Sequence, residues 1–200
     1  MMAFDEIHNT LYQKLNIDLP KERRKILIDE MAGLSNSKIH CFNCTGTCCT
    51  FSANSMQISP LEAFEIILSL EVTTENILDL KIKLKKNIKD YRLDHEIFLP
   101  KKINPLLRKT YTCPFFVEGA KGCSIKKELK PYGCLGFNPR IENDNGSQCL
   151  SNIEILKIRE DSTNDAEEMA NNFLRRELLL DWKKLEIPKA VLIILEKLYL

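Results

Sequence analysis

Hydrophobic and polar positions alternate with a helical period through most of the chain. Phe4, Ile7, Leu11 and Leu15 recur at three- and four-residue spacing and predict an opening helix. A second helix starts at Asp18, with Pro20 in its first turn, and closes near Gly33 with Ile26, Leu27 and Met31 on its apolar face. The stretch from His40 to Thr50 has neither period and contains a glycine, so it predicts a knuckle-like loop. Downstream, SMQI predicts a short strand, and Ser59, Pro60 and Glu62 predict a helix start of the capping-box type, the helix running to about Leu70. Ile77, Leu80, Leu84, Ile88 and Tyr91 stripe a third helix from Thr74 to Arg92. Its early acids and late lysines match the helix dipole and a solvated face.

From Leu99 to Arg140 proline and glycine become frequent, and TCPFFVEGAKGCSI predicts a small hairpin around Gly119 and Gly122. IEILKI predicts an edge strand. The stretch from Ser162 to Lys183 then carries Ala166, Met169, Ala170, Phe173 and Leu178 at helical spacing, with Trp182 on the same face. A last helix begins at Pro188. Its VLIILEKLYL ending falls short of the ~20 apolar residues of a membrane span, so the expectation is packing on the domain or on another subunit.

At 200 residues, with 44% hydrophobic and 28% charged content, the pattern predicts a single domain over 1–200. Residues 1–37 give N-terminal helices, 38–150 a cysteine-rich core and 151–200 a C-terminal helical extension. The fold class expected is mainly α, with helices surrounding a small irregular metal centre that includes a short β-hairpin. Formal net charge is +1, which exerts no global pull on nucleic acid or anionic lipid. The opening MMAFDEIHNTLYQKL carries acids where a signal peptide has a basic and then an apolar stretch, so the chain reads as cytoplasmic and free of membrane.

Eight cysteines change that picture, because a reducing compartment leaves metal binding or redox chemistry as the main reason to gather thiols. They stand at Cys41, Cys44, Cys48, Cys49, Cys113, Cys123, Cys134 and Cys149, half of them within nine residues. A CxxC turn lets two thiolates converge on one ion while backbone amides donate to the sulfurs. All eight are candidate metal ligands, with zinc or iron as the cofactor. Cys41, Cys44 and Cys48 also resemble the close triple of iron–sulfur proteins, which takes a distant fourth thiolate. Successive side chains of an extended chain point apart, so the adjacent Cys48 and Cys49 either feed two centres or leave one spare. A thioredoxin-like role for Cys41 and Cys44 needs a strand before and a helix after, and IHCFNCTGTCC supplies neither. His40 is a candidate nitrogen donor, although eight thiols already satisfy two tetrahedral sites.

Charge around the downstream cysteines agrees with a thiolate centre. Between Lys101 and Arg140 nine basic residues face only Glu118 and Glu128, and cations of that number suit a negatively charged metal–thiolate group. No aromatic-interleaved basic stripe of the kind a nucleic-acid interface would require accompanies them.

The strings CFNCTGTCC, SMQISPLE, CPFF, GCSI, KPYGC and GFNP together resemble the YkgJ-type cysteine-cluster family, described as zinc- or iron-chelating domains, over about 38–140. The resemblance implies a metal or iron–sulfur centre to which Cys113, Cys123 and Cys134 contribute. The cysteine region is also similar to flagellin lysine methylases, which implies S-adenosylmethionine as a cosubstrate, yet no strand-linked GxGxxG loop is found. Two functions follow as expectations. The first is a metal-binding module that holds a surface for a protein partner; the second is an iron–sulfur-dependent enzyme, methylase-like or redox. His8 and His95 are read as surface residues and Tyr132 as packing.

Overall fold

The computed structural model describes residues 4–36, 46–73, 75–95, 109–117, 122–138, 150–151 and 165–199. The protein is mainly helical. Among the described residues no helix is long and apolar enough to cross a membrane.

The opening helix α1 (Phe4–Asn9) continues into a π-type turn over Thr10–Lys14, which lets Ile7 and Leu11 both reach the core with no exposed surface. Helix α2 (Pro20–Arg23) starts on proline, whose fixed φ suits a first turn, and Arg24 separates it from α3 (Lys25–Asn36). Leu27 and Met31 of α3 are buried as the pattern predicts. Ile26 is not: it is 57% exposed, because the face that packs is narrower than the apolar stripe.

Strand β1 (Gln57–Ile58) leads directly into α4 (Pro60–Ser69), which begins with the predicted capping box. The Glu62 amide donates to Ser59 Oγ at 3.3 Å and the Ser59 amide to Glu62 Oε2 at 2.9 Å. Leu61, Ala63, Phe64, Ile66 and Ile67 are all buried, and so are Glu62, Glu65 and Ser69, so α4 is covered on every side and must run through the middle of the domain. Helix α5 (Ile77–Asp90) is the opposite case, with Leu84 alone fully buried and Lys86 paired to Asp90 on the outer face.

The predicted hairpin is present: β2 (Phe116–Val117) pairs antiparallel with β3 (Gly122–Cys123). A short helix α6 (Tyr132–Gly136) follows, and then β4 (Phe137–Asn138), which pairs antiparallel with β5 (Leu150–Ser151). IEILKI lies outside the described residues. Helix α7 (Asp165–Glu177) buries Ala170, Phe173 and Leu174 but leaves Met169 51% exposed, and it ends before Trp182, which is buried from the connecting segment. From α7, Asn171 Oδ1 accepts the Leu61 amide at 3.0 Å and so satisfies one of the orphan donors at the start of α4.

Strand β6 (Leu185–Glu186) pairs with β1 in the register Gln57↔Glu186 and Ile58↔Leu185, then passes into α8 (Ile187–Leu198). The two most buried helices therefore leave from one shared ladder. Tyr111 locks it, since its hydroxyl donates to the Met56 carbonyl at 2.5 Å and accepts the Ile187 amide at 3.0 Å. Ala190, Val191, Ile194 and Leu195 of α8 complete the main core against α4 and α5, which is where the apolar C-terminal sequence packs. A second, smaller apolar cluster joins Leu27 and Met31 of α3 to Tyr132 and Leu135 of α6.

Candidate metal centre

Five of the eight candidate cysteines, Cys48, Cys49, Cys113, Cys123 and Cys134, are described, and all five are free thiols. Cys41, Cys44, Cys149 and His40 lie outside the described residues.

Each described thiol is delivered by a short turn, strand, helix or connecting segment, not by a long element. Gly46, at φ +70°, turns the chain into a 3-10 turn over Thr47–Cys49, closed by the Cys49 amide donating to the Gly46 carbonyl at 2.7 Å. A 3-10 turn sets successive side chains about 120° apart. Cys48 and Cys49 therefore do not alternate as an extended chain would: their thiols hydrogen-bond to each other. The segment before the hairpin then runs beside this knuckle. The Cys113 amide donates to the Cys49 carbonyl at 2.7 Å, the Tyr111 amide to the Asn54 carbonyl at 2.9 Å and the Phe51 amide to Thr112 Oγ1 at 3.1 Å. These main-chain bonds join the upstream and downstream cysteine groups.

The hairpin adds the next thiol. Phe116 and Cys123 are directly opposed across β2 and β3, and the Phe116 amide donates to the Cys113 carbonyl at 3.1 Å, which folds Cys113 back toward its partner strand. Cys134 comes from α6. There the backbone at Gly133 approaches Met56 so closely that a Cβ would meet the sulfur at 2.5 Å.

Electrostatics reports the same gathering. Cys134 feels burial first and then the charges of Cys113, Cys49, Cys123 and Cys48, which together hold its proton far above the usual thiol range. Burial raises Cys113, with Cys123 and Cys49 adding to the shift and Lys83 opposing it. Cys123 is raised by burial and relieved by Lys130, while Cys49 is raised chiefly by its hydrogen bond to Cys48 and again relieved by Lys130. Without a bound cation these thiols are protonated at neutral pH; a metal ion is what makes such sulfurs thiolates. Among the described residues no set of three or more His, Cys, Asp or Glu side chains already stands in the close arrangement that holds an ion. Soft, desolvated donors from three segments do suit zinc, iron or an iron–sulfur cluster.

Sequence reasoning missed a buried ionic network that adjoins α6. Arg23 pairs with Glu65 and with Glu167 (3.0 Å), Arg24 pairs with Glu65, the Tyr12 hydroxyl donates to Glu65 at 3.1 Å and the Tyr132 hydroxyl donates to Glu167. Burial first, then the neighbouring Glu167 acting against the two arginines, pushes the Tyr132 phenol up to about 12. Tyr132 is therefore more than packing. The available signal was Glu65 itself, a charge inside LEAFEIIL, where the aliphatic and aromatic residues around it mark a covered helix in which a carboxylate needs a buried partner. His95 is exposed as predicted, and His8 lies beside Tyr12, the rings tilted by 48° with centroids 4.9 Å apart.

Compared with family models, with curated proteins and with solved structures, the chain returns no match.

Proposed function

We propose that the protein binds zinc or iron, the latter as an ion or an iron–sulfur cluster, through Cys48, Cys49, Cys113, Cys123 and Cys134. Cys41, Cys44 and Cys149 would complete the ligand set. The observation that carries this reading is the convergence of three distant segments: a main-chain bond joins Cys113 to Cys49, a hairpin sets Cys123 beside Phe116, and Cys134 senses all four other thiols. Desolvated thiols gathered from separate segments are the donors a soft or borderline ion such as zinc or iron prefers. The likeness of the cysteine strings to the YkgJ-type cluster family points the same way.

The bound ion would supply cross-linking where the apolar core is thin. Lys130, whose positive charge favours the ionised forms of Cys49 and Cys123, would offset the negative charge of the thiolates. The buried carboxylates of the ionic network, Glu65 and Glu167, are already engaged by Arg23, Arg24, Tyr12 and Tyr132, so they are not spare acid–base groups for a methylase-like or redox reaction. A metal-binding module that presents a surface to a protein partner is the reading preferred.

Anaerobic purification, elemental analysis and a visible spectrum test it. Stoichiometric zinc, or iron with visible absorption, is expected in the wild type, falling in Cys113→Ser and in Cys123→Ser. Equal metal content in wild type and both variants would remove the proposal.

A further inference from the structure

The buried charges of this protein collect against the segment that carries Cys134. Arg24 and Glu65 have no exposed side-chain surface and form an ion pair. Burying such a pair is weak evidence for stability, since well-packed apolar residues often do as well. A positional role is the better account here, because Arg24, besides pairing with Glu65 and donating to the Pro20 carbonyl, also reaches one short stretch of chain in two ways. Its Nε donates to the Lys130 carbonyl at 2.7 Å, and its plane lies 4.5 Å from the centroid of the Tyr132 ring. From α4, Glu62 Oε1 accepts the Tyr132 amide at 3.0 Å. Lys130, Pro131 and Tyr132 are thus held by a carbonyl, a ring and an amide, each gripped by a buried charged side chain.

Two residues further on stands Cys134, so the clamped segment carries one thiol of the cysteine centre. Helix α3, which follows Arg24, packs its Leu27 and Met31 on Tyr132 and Leu135 in a cluster separate from the main core. Its docking depends on the same segment.

We propose that Arg24 is a positioning residue of the cysteine centre: it fixes the segment from Lys130 to Cys134 so that the Cys134 sulfur meets the other thiolates, and it thereby couples metal binding to the docking of α3. This rests on the metal-binding reading above. Arg24 lies upstream of the 38–140 stretch that resembles the cluster family, so that likeness does not supply it. The coupling is reciprocal: whatever tightens the metal tightens α3, and the converse.

Cobalt(II) titration of the full chain, wild type against Arg24→Lys and Arg24→Met, is the test. Lysine keeps a cation beside Glu65 but loses the planar fork that reaches Lys130 and stacks on Tyr132. Arg24→Lys is expected to bind cobalt ten- to a hundredfold more weakly, the range for groups that orient ligands. It should also show a weaker thiolate-to-cobalt absorption band per ion, while its thermal midpoint stays closer to wild type than that of Arg24→Met. A merely structural role would restore affinity and midpoint together. Wild-type affinity and band in Arg24→Lys would overturn the proposal and leave the metal-binding reading standing; a wild type with no thiolate-to-cobalt band would overturn both. Should Arg24→Met not fold, amide exchange in the wild type decides alongside Arg24→Lys. Metal removal is expected to speed exchange in residues 25–36 well beyond any change in 187–198, and equal protection of 25–36 with and without metal would overturn the coupling.

Discussion

The paired helices α4 and α8 and the cysteine region are built on opposite terms. Around α4 and α8, Leu61, Phe64, Ile66, Val191, Ile194 and Leu195 are almost wholly buried, and the helices are long enough to bury them cooperatively. The cysteine region has two-residue strands, a three-residue 3-10 turn and a five-residue helix, with thiols where a core would place branched aliphatics. Elements that short do not hold themselves, and a two-stranded hairpin alone is marginal. Apolar burial explains the first region. The second has main-chain hydrogen bonds and an edge of the core at Tyr111 and Phe115. On the metal-binding proposal, the molecule contains a part stable by packing and a part ordered by its ligand.

Removing that ligand is the largest expected perturbation. Structural zinc in small domains carries an apparent ~10–16 kcal/mol of binding free energy that is also folding free energy. Adding a chelator to the metal-loaded protein should therefore raise amide exchange sharply at 46–50, 111–117 and 122–136, while Leu61 to Ile67 and Val191 to Leu195 keep their protection. Equal loss in both regions would show that the division drawn here is wrong.

Truncation of the core gives the reverse pattern. Phe64 has no exposed surface and its ring stacks on Phe4 with centroids 5.0 Å apart. Phe64→Ala should cost about 3–5 kcal/mol through lost burial and a cavity, lowering the thermal midpoint of the whole domain, with metal per folded chain unchanged. Denaturation monitored in parallel with metal content checks it, and a selective loss of metal at full stability would contradict it.

The two regions also differ in how far they could be read from the chain. Ser59, Pro60 and Glu62 announce α4 because a capping box is local chemistry, and the β2–β3 hairpin is legible because its strands are close in sequence. The ladder β1–β6 was not, since Gln57 finds Glu186 only through tertiary packing. Ile26 and Met169 sit on apolar stripes yet are exposed, which pattern alone does not decide. In the candidate site the list of thiols was readable, but the mutual contact of Cys48 and Cys49 required knowing that the turn is 3-10, and the Arg24–Glu65 pair is invisible until α3 and α4 are seen together.

Acidity separates the regions next. In the metal-free fold, Cys113, Cys123 and Cys134 hold their protons more tightly than an unfolded thiol, mainly through burial, so the native state binds more protons than the unfolded one. The associated stability is present below the unfolded thiol value of about 8.5 and is lost as pH rises beyond it. Metal-free protein should thus melt earlier as pH is raised from 8 to 10, with the cysteine region opening first. Metal affinity moves the opposite way, rising with pH because protons must leave the thiols. Calorimetric titration in buffers of different ionisation heat counts those protons; no proton release on binding would refute thiolate ligation by these residues.

The smallest effect distinguishes two glycines within the cysteine region. At Gly46 the backbone has φ +70°, which costs an L-residue roughly 1–2 kcal/mol, and a Cβ would lie 2.6 Å from both Cε2 and Cζ of Phe116. That ring belongs to β2, opposite Cys123, so yielding to the methyl shifts the hairpin that carries a thiol. Gly133 is as crowded, with a Cβ 2.5 Å from Met56 Sδ, but its φ is unstrained and the obstacle is the far end of a side chain that adapts readily. Gly46→Ala should therefore weaken cobalt binding and lower the midpoint more than Gly133→Ala does, although the close contacts are nearly equal in length. Competition against a chelator of known affinity, run on both variants, measures the difference. If Gly133→Ala is the more damaging, then the approach of Met56 to α6, and not the turn at Gly46, controls how the thiols are set.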